Sequence, residues 1–284
     1  MGRIVSTACL SHSPGITGFP DRADPSAARR VLGALAELRT SLARSAPEAL
    51  VMFSAEHFTN FSLANLPTFA VGTADSYDLP ASDAFAAFLG IARRSYPGAS
   101  GLGEALHTGL VGAGFDVSLV AGGYGFDEGF AVPLAVLCGD TPVPVVPIVM
   151  NAVQPPYPTL ARCRALGQAV AELVAGQDRA DRVAVLGTGG LSHWVGLAPA
   201  GQIDIEFDKR VLTALEAGDL DTLCAMSDAD IDAAGNGAHE IRAWIAAAAA
   251  GGVAFDVLAY EPVPAWLTGT CVARGRTVEE RGMR

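Results

Sequence analysis

Three runs of the chain are apolar on both alternate positions: ALVMF from Ala49, VVPIVM from Val145 and VAVLG from Val183. A strand with one wet face alternates apolar and polar residues. A strand apolar on both faces must be covered on both, and that points to a mainly parallel sheet between layers of helix. The intervening segments supply those layers. In PSAARRVLGALAELRTSLARSAP, the residues Val31, Leu32, Leu35, Leu38 and Leu42 recur at helical spacing between Pro25 and Pro47. SDAFAAFLGIARRSYP, GEALHTGLVGAGFD and TLARCRALGQAVAELVAG also read as helices, while RIVSTACL and VSLVAGG read as strands. Residues 207–250 read as mainly helical, with the alanine-rich run near Ile245 a packed helix. The expected fold is α/β: one domain over residues 1–284, a central sheet covered by helices, and an active site in a crevice at the C-terminal ends of the strands.

Half of the residues are hydrophobic, enough for a large core, yet no apolar stretch reaches the length of a membrane span. The net charge of -11 argues against nucleic acid and anionic membranes as partners. Five scattered cysteines (Cys9, Cys138, Cys163, Cys224 and Cys271) show no metal-binding spacing and read as free thiols. Together with the absence of a leader-like segment they predict a cytoplasmic protein.

Histidine is scarce, at five in the chain, and its placement is selective. His12 follows STACL, His57 follows ALVMFSAE, and His193 follows VAVLGTGGLS, each just beyond the end of an apolar strand. A single histidine is usually structural, but three at equivalent strand ends predict a shared site. His107, inside EALHTGLV, reads as structural. His239 and Glu240 stand beside Gly235, Asn236 and Gly237, a turn ahead of a helix. Two imidazoles and one carboxylate can hold a divalent ion on one face and leave sites open, the pattern of non-heme Fe(II) oxygenases. From residue types alone, a zinc or manganese hydrolase site stays open as well.

CLSHSP, SAEHFTNF, GTGGLSHW and AHEIRAW together resemble the class III extradiol ring-cleaving dioxygenases, in particular the branch acting on 2,3-dihydroxyphenylpropionate. The resemblance keeps order and spacing over nearly the whole chain and extends to PAW at Trp266. It implies that His12, His57 and Glu240 bind Fe(II), with Mn(II) as the other candidate, and that His193 is an acid/base residue. It also implies a small aromatic substrate, dioxygen as co-substrate and a homo-oligomer. Asn60 is expected to orient the substrate, with Asp127 beside it. A metal-dependent hydrolase or decarboxylase on the same scaffold, or a noncatalytic partner subunit, are the competing readings.

One position departs from the pattern. In GYGFDEGFAVPL the family usually carries a histidine where this chain has Glu128, although Asp127, Gly129 and Pro133 fit. Glu128 then has three candidate roles: a general acid, a further metal ligand, or a group that recognises a cationic or N–H-bearing substrate such as an aminophenol or hydroxypyridine.

Overall fold

The doubly apolar runs form the middle of one eight-stranded sheet. The computed structural model describes residues 1–276. The first half of the chain carries β1 (Arg3–Leu10), α1 (Gly15–Gly18), α2 (Pro25–Ser45), β2 (Ala49–Ser54), β3 (Phe69–Gly72), β4 (Ser76–Leu79), α3 (Asp83–Leu89), β5 (Arg94–Pro97), α4 (Ser100–Gly112), β6 (Val117–Val120) and α5 (Glu128–Cys138). The second half carries β7 (Val145–Met150), α6 (Leu160–Gly176), β8 (Arg182–Thr188), α7 (Ile205–Ala217), α8 (Leu220–Cys224), α9 (Asp228–Asp232), α10 (Ile241–Gly251), β9 (Phe255–Val263) and β10 (Thr268–Gly275).

The strand order is β6-β3-β7-β2-β8-β1-β10-β9, and β7, β2, β8 and β1 run parallel at its centre. Val51 and Phe53 belong to the core on one face, with α4, α6 and α10; Leu50 and Met52 belong to the core on the other, with α2 and α5. That two-sided burial is why β2 reads as a continuous apolar run. The central strands thus meet the expectation of a single α/β domain with a helix-covered sheet.

Helix α2 starts where Asp24 accepts hydrogen bonds from the amides of Ser26 and Ala27, with Pro25 in the first turn. Its buried stripe includes Val31, Leu35, Leu38 and Leu42, but Leu32 turns outward and is 40% exposed. The alanine-rich run is α10, and Ile241 to Ala250 are all buried. Alanine suits it because the helix backbone lies close to its neighbours: a Cβ on Gly167 of α6 would stand 2.0 Å from the carbonyl oxygen of Ala246.

Two segments differ from expectation. SDAFAAFLGIARRSYP is not one helix; α3 ends at Gly90, which takes φ 62°, and Arg94–Pro97 then pairs with β4 in a two-stranded ribbon. Glycine carries that left-handed turn without strain, and it ends the helix. The β9–β10 hairpin has no clear signal in the sequence pattern; β10 lies antiparallel beside β1. All five cysteines are free. Among the described residues no helix is long and apolar enough to cross a membrane.

Candidate functional site

Register brings the candidate residues together. Thr188, the last residue of β8, lies opposite Leu10 at the end of β1 and opposite Ser54 at the end of β2. The three chains therefore leave the sheet side by side, and His12, His57 and the Gly189–Gly190 turn emerge at one edge. Glu240 arrives from the last turn before α10, and it is buried to 2% exposure. The backbone must come close for this to work. A Cβ on Gly189 would lie 2.6 Å from Cβ of Glu240, and one on Gly190 would lie 2.4 Å from Cε1 of His193.

Glu240 Oε1 sits 2.9 Å from His57 Nε2 and 3.4 Å from His12 Nε2. Its Oε2 accepts a short hydrogen bond from the Gly190 amide and lies 4.0 Å from His193 Nε2. Ligand atoms at right angles around an ion about 2.1 Å away stand about 3 Å apart. The set His12, His57 and Glu240 therefore fits a divalent ion held on one face.

The tautomers agree with that geometry. Thr188 Oγ1 donates to the Gly129 carbonyl at 2.7 Å, so toward His12 Nδ1, 3.4 Å away, it acts as acceptor. His57 Nδ1 donates to Asp127 Oδ2 at 3.0 Å. Each histidine thus keeps a proton on Nδ1 and turns Nε2 toward Glu240, the nitrogen that would bind an ion. A carboxylate or hydroxyl behind a ligating imidazole fixes its ring and raises its basicity.

Burial disfavours charge on His57, but the carboxylates of Glu128 and Asp127, with hydrogen bonds to Asp127 and Glu240, hold it well above the usual imidazole range. Burial likewise opposes charge on Glu240, and its histidine neighbours, His12 first, outweigh it and keep the acid well below the usual carboxylate range. A proton on His57 Nε2, paired with the ionised Glu240 carboxylate, therefore stands at the position where a cation would sit, and a bound ion would displace it.

His193 stands apart from this trio. Its Nδ1 donates to the Leu191 carbonyl at 3.0 Å, leaving Nε2 as a lone pair, and burial lowers its pKa. Its loop is anchored by a buried carboxylate: Asp208 accepts from the Ser192 amide at 2.7 Å and from the Tyr260 hydroxyl at 2.7 Å. Burial pushes Asp208 up to about 6. A buried acid raised above its ordinary value binds its extra proton in the native state. Asp208 therefore makes native stability fall as pH rises from about 4 to about 6, by on the order of 2–3 kcal/mol. Asp208→Asn is expected to flatten that part of the profile, measured by urea unfolding at pH 4.5 and 7. An unchanged difference between the two pH values would exclude the assignment.

Two residues expected against the substrate are engaged elsewhere. Asn60 donates to Glu56 Oε1 at 3.1 Å and to the Gly125 carbonyl at 2.9 Å, and accepts from the Gly125 amide at 2.9 Å. Its amide is spent on tying two loops together. Asp127 is fully buried behind His57; besides the ring it accepts from the His57 amide at 2.8 Å and the Gly129 amide at 3.0 Å. Thr188 and Asp208 escaped the sequence reading. Thr188 left a usable signal as a hydroxyl at the end of an apolar run; Asp208 left none, because a carboxylate on an amphipathic helix reads as solvent-facing. His107 lies on α4, half-buried and away from the site. His239 faces away, with Nε2 on Asp232 at 2.8 Å and its ring stacked on Tyr157.

A cavity of about 230 Å³ opens over the cluster. His12, His57, His193, Glu240 and Glu128 line it, and Pro14, Trp194, Val195 and Trp266 provide apolar wall. A larger cleft of about 470 Å³ meets the cluster only through His57. The smaller cavity combines the convergent polar groups with an apolar wall, the usual form of a small-molecule site.

The sequence model of a family described as the catalytic LigB subunit of aromatic ring-opening dioxygenase matches residues 6–270. The chain is 29% identical over 319 aligned positions to the 2,3-dihydroxyphenylpropionate/2,3-dihydroxicinnamic acid 1,2-dioxygenases of Escherichia coli K12 and O157:H7, covering 95% of this chain and 98% of theirs. Among solved structures, an uncharacterized protein of Escherichia coli K12 matches with a TM-score of 0.54 at 19% identity, over 85% of this chain and 91% of that one. That likeness concerns the fold.

Proposed function

We propose a reaction from one premise: the chain belongs to the LigB family of catalytic subunits of aromatic ring-opening dioxygenases, and is an extradiol ring-cleaving dioxygenase. The enzyme is metal-dependent. In this proposal the metal is Fe(II), its ligands are His12, His57 and Glu240, and the substrate chelates it through a ring diol or an aminophenol- or hydroxypyridine-like pair. The observation that carries the reading is the meeting of two imidazole nitrogens and one carboxylate oxygen within 4.8 Å, beside a cavity that all three residues line.

Bound there, iron would supply the Lewis acidity and one-electron chemistry that couple an aromatic ring to dioxygen. The chain does the rest. Asp127 and Thr188 hold the two imidazoles in the tautomer that offers Nε2. His193 Nε2, kept unprotonated by burial, takes a proton from the ring hydroxyl and can return it as the ring opens. Trp194, Val195 and Trp266 clasp the ring and limit water. A soluble cytoplasmic location completes the proposal.

The test is anaerobic reconstitution with Fe(II), then oxygen uptake with catechols, aminophenols and hydroxypyridines while a coloured ring-fission product is followed. Metal-loaded protein that consumes no oxygen with any of them would sink the reading. Asp127→Asn is expected to weaken metal binding about 10- to 100-fold, because the partner of His57 Nδ1 loses its charge. Titration against a competing chelator measures this, and unaltered affinity would remove Asp127 from the support of the centre.

A further inference from the structure

We infer that the cavity selects an aromatic substrate whose side chain presents an ammonium or other N–H donor to Glu128, and that it disfavours a carboxylated side chain. The identity of the ring rests on the ring-cleaving reading above; the charge preference rests on the cavity itself.

Glu128 opens α5 and lines the same cavity as the three histidines. Its Oε1 is 3.7 Å from His57 Nδ1, a position already served by Asp127. Its Oε2 is buried and has no hydrogen-bond partner among the described residues. A buried carboxylate oxygen without a donor is costly, and a turn of the side chain toward the cavity it lines would let a ligand N–H relieve that cost. No lysine or arginine lines the cavity among the described residues. Three carboxylates, Glu240, Asp127 and Glu128, stand around His57, so a divalent ion that displaces the extra proton of His57 leaves the site with one net negative charge. A ring carrying a further carboxylate enters against that charge, and a ring carrying an ammonium enters with it.

A second observation points the same way. Two of the chain's three tryptophans, Trp194 and Trp266, line this cavity. Tryptophan faces attract cations. A carboxylate together with indole walls is therefore suited to an amine. The curated relatives are named for substrates with acidic side chains, so this chain is inferred to take a differently charged member of the same ring class.

The test uses full-length enzyme loaded with Fe(II) under anaerobic conditions, titrated calorimetrically at pH 7. Three ligands share the ring: 3-(2,3-dihydroxyphenyl)propylamine, 3-propylcatechol and 3-(2,3-dihydroxyphenyl)propionate. The amine is expected to bind at least about tenfold more tightly than the neutral compound, and about a hundredfold more tightly than the acid. In Glu128→Gln the amine-to-acid ratio is expected to fall at least about tenfold. Glu128→His serves as a second variant, and thermal unfolding checks that both are folded. Acid binding as tight as amine in the unaltered enzyme, or a ratio unmoved in both variants, overturns the inference. Oxygen admitted at the end separates the two readings. The predicted binding order without oxygen uptake removes the reaction and keeps the charge preference; turnover with the reverse order does the opposite.

Discussion

Glu240→Ala is expected to lose the metal. The carboxylate is the one anionic member of the trio, and its Oε1 lies within 3.4 Å of both imidazole donors. Removing it leaves two neutral ligands, and affinity should fall by at least about a hundredfold, the upper end of what losing even a supporting partner costs. Metal content after reconstitution and dialysis reads this directly. The substitution also strips the Gly190 amide of its acceptor, at a cost to stability of about 1–3 kcal/mol. Glu240→Gln keeps an oxygen for that amide and isolates the loss of charge. His12→Ala and His57→Ala are expected to behave as Glu240→Ala does. Full, stoichiometric metal in Glu240→Ala would show that the centre lies elsewhere.

His193→Ala should do the reverse: keep the metal and lose turnover. Its ring is anchored through Nδ1 to the Leu191 carbonyl and lines the cavity, with Nε2 4.0 Å from Glu240 Oε2. A positioned base of this kind contributes about 10²- to 10⁴-fold, so kcat is expected to drop by that factor. The pH profile distinguishes a proton-transfer role from a merely structural one. Burial lowers the pKa of His193, so in the unaltered enzyme the base stays unprotonated to below the usual imidazole range and the rate falls only on the acid side. The variant should lack that acid limb. A variant with full activity, or with the same limb, would take proton transfer away from His193.

The sequence made the centre of the molecule legible because burial on both faces leaves no room for polar residues in β2, β7 and β8. Against such runs, a histidine two to five residues past a strand end stands out. The edges were less legible. Most of β9 is half-buried, so its residues mix types without clean alternation. The ribbon strand β5 follows a helical pattern with a single glycine, Gly90, as punctuation. Adjacent residues can also part ways. His239 and Glu240 share one turn, yet the turn sends Glu240 into the site and His239 toward Arg242 and Asp232. Which of two neighbours faces inward depends on backbone angles that composition does not encode. The same holds for Asp127, whose partner His57 is 70 positions away.

His57 and Glu240, which meet in the proposed metal centre, are separated by 183 positions of chain. During synthesis a ribosome therefore exposes both histidines long before the carboxylate exists. A growing polypeptide, or any fragment cut ahead of α10, has imidazoles that can pick up stray ions but cannot assemble the trio. If the proposed trio holds the metal, loading waits for nearly the whole protein to be made and for α10 to dock, and the topology then sets the order of folding and metal capture.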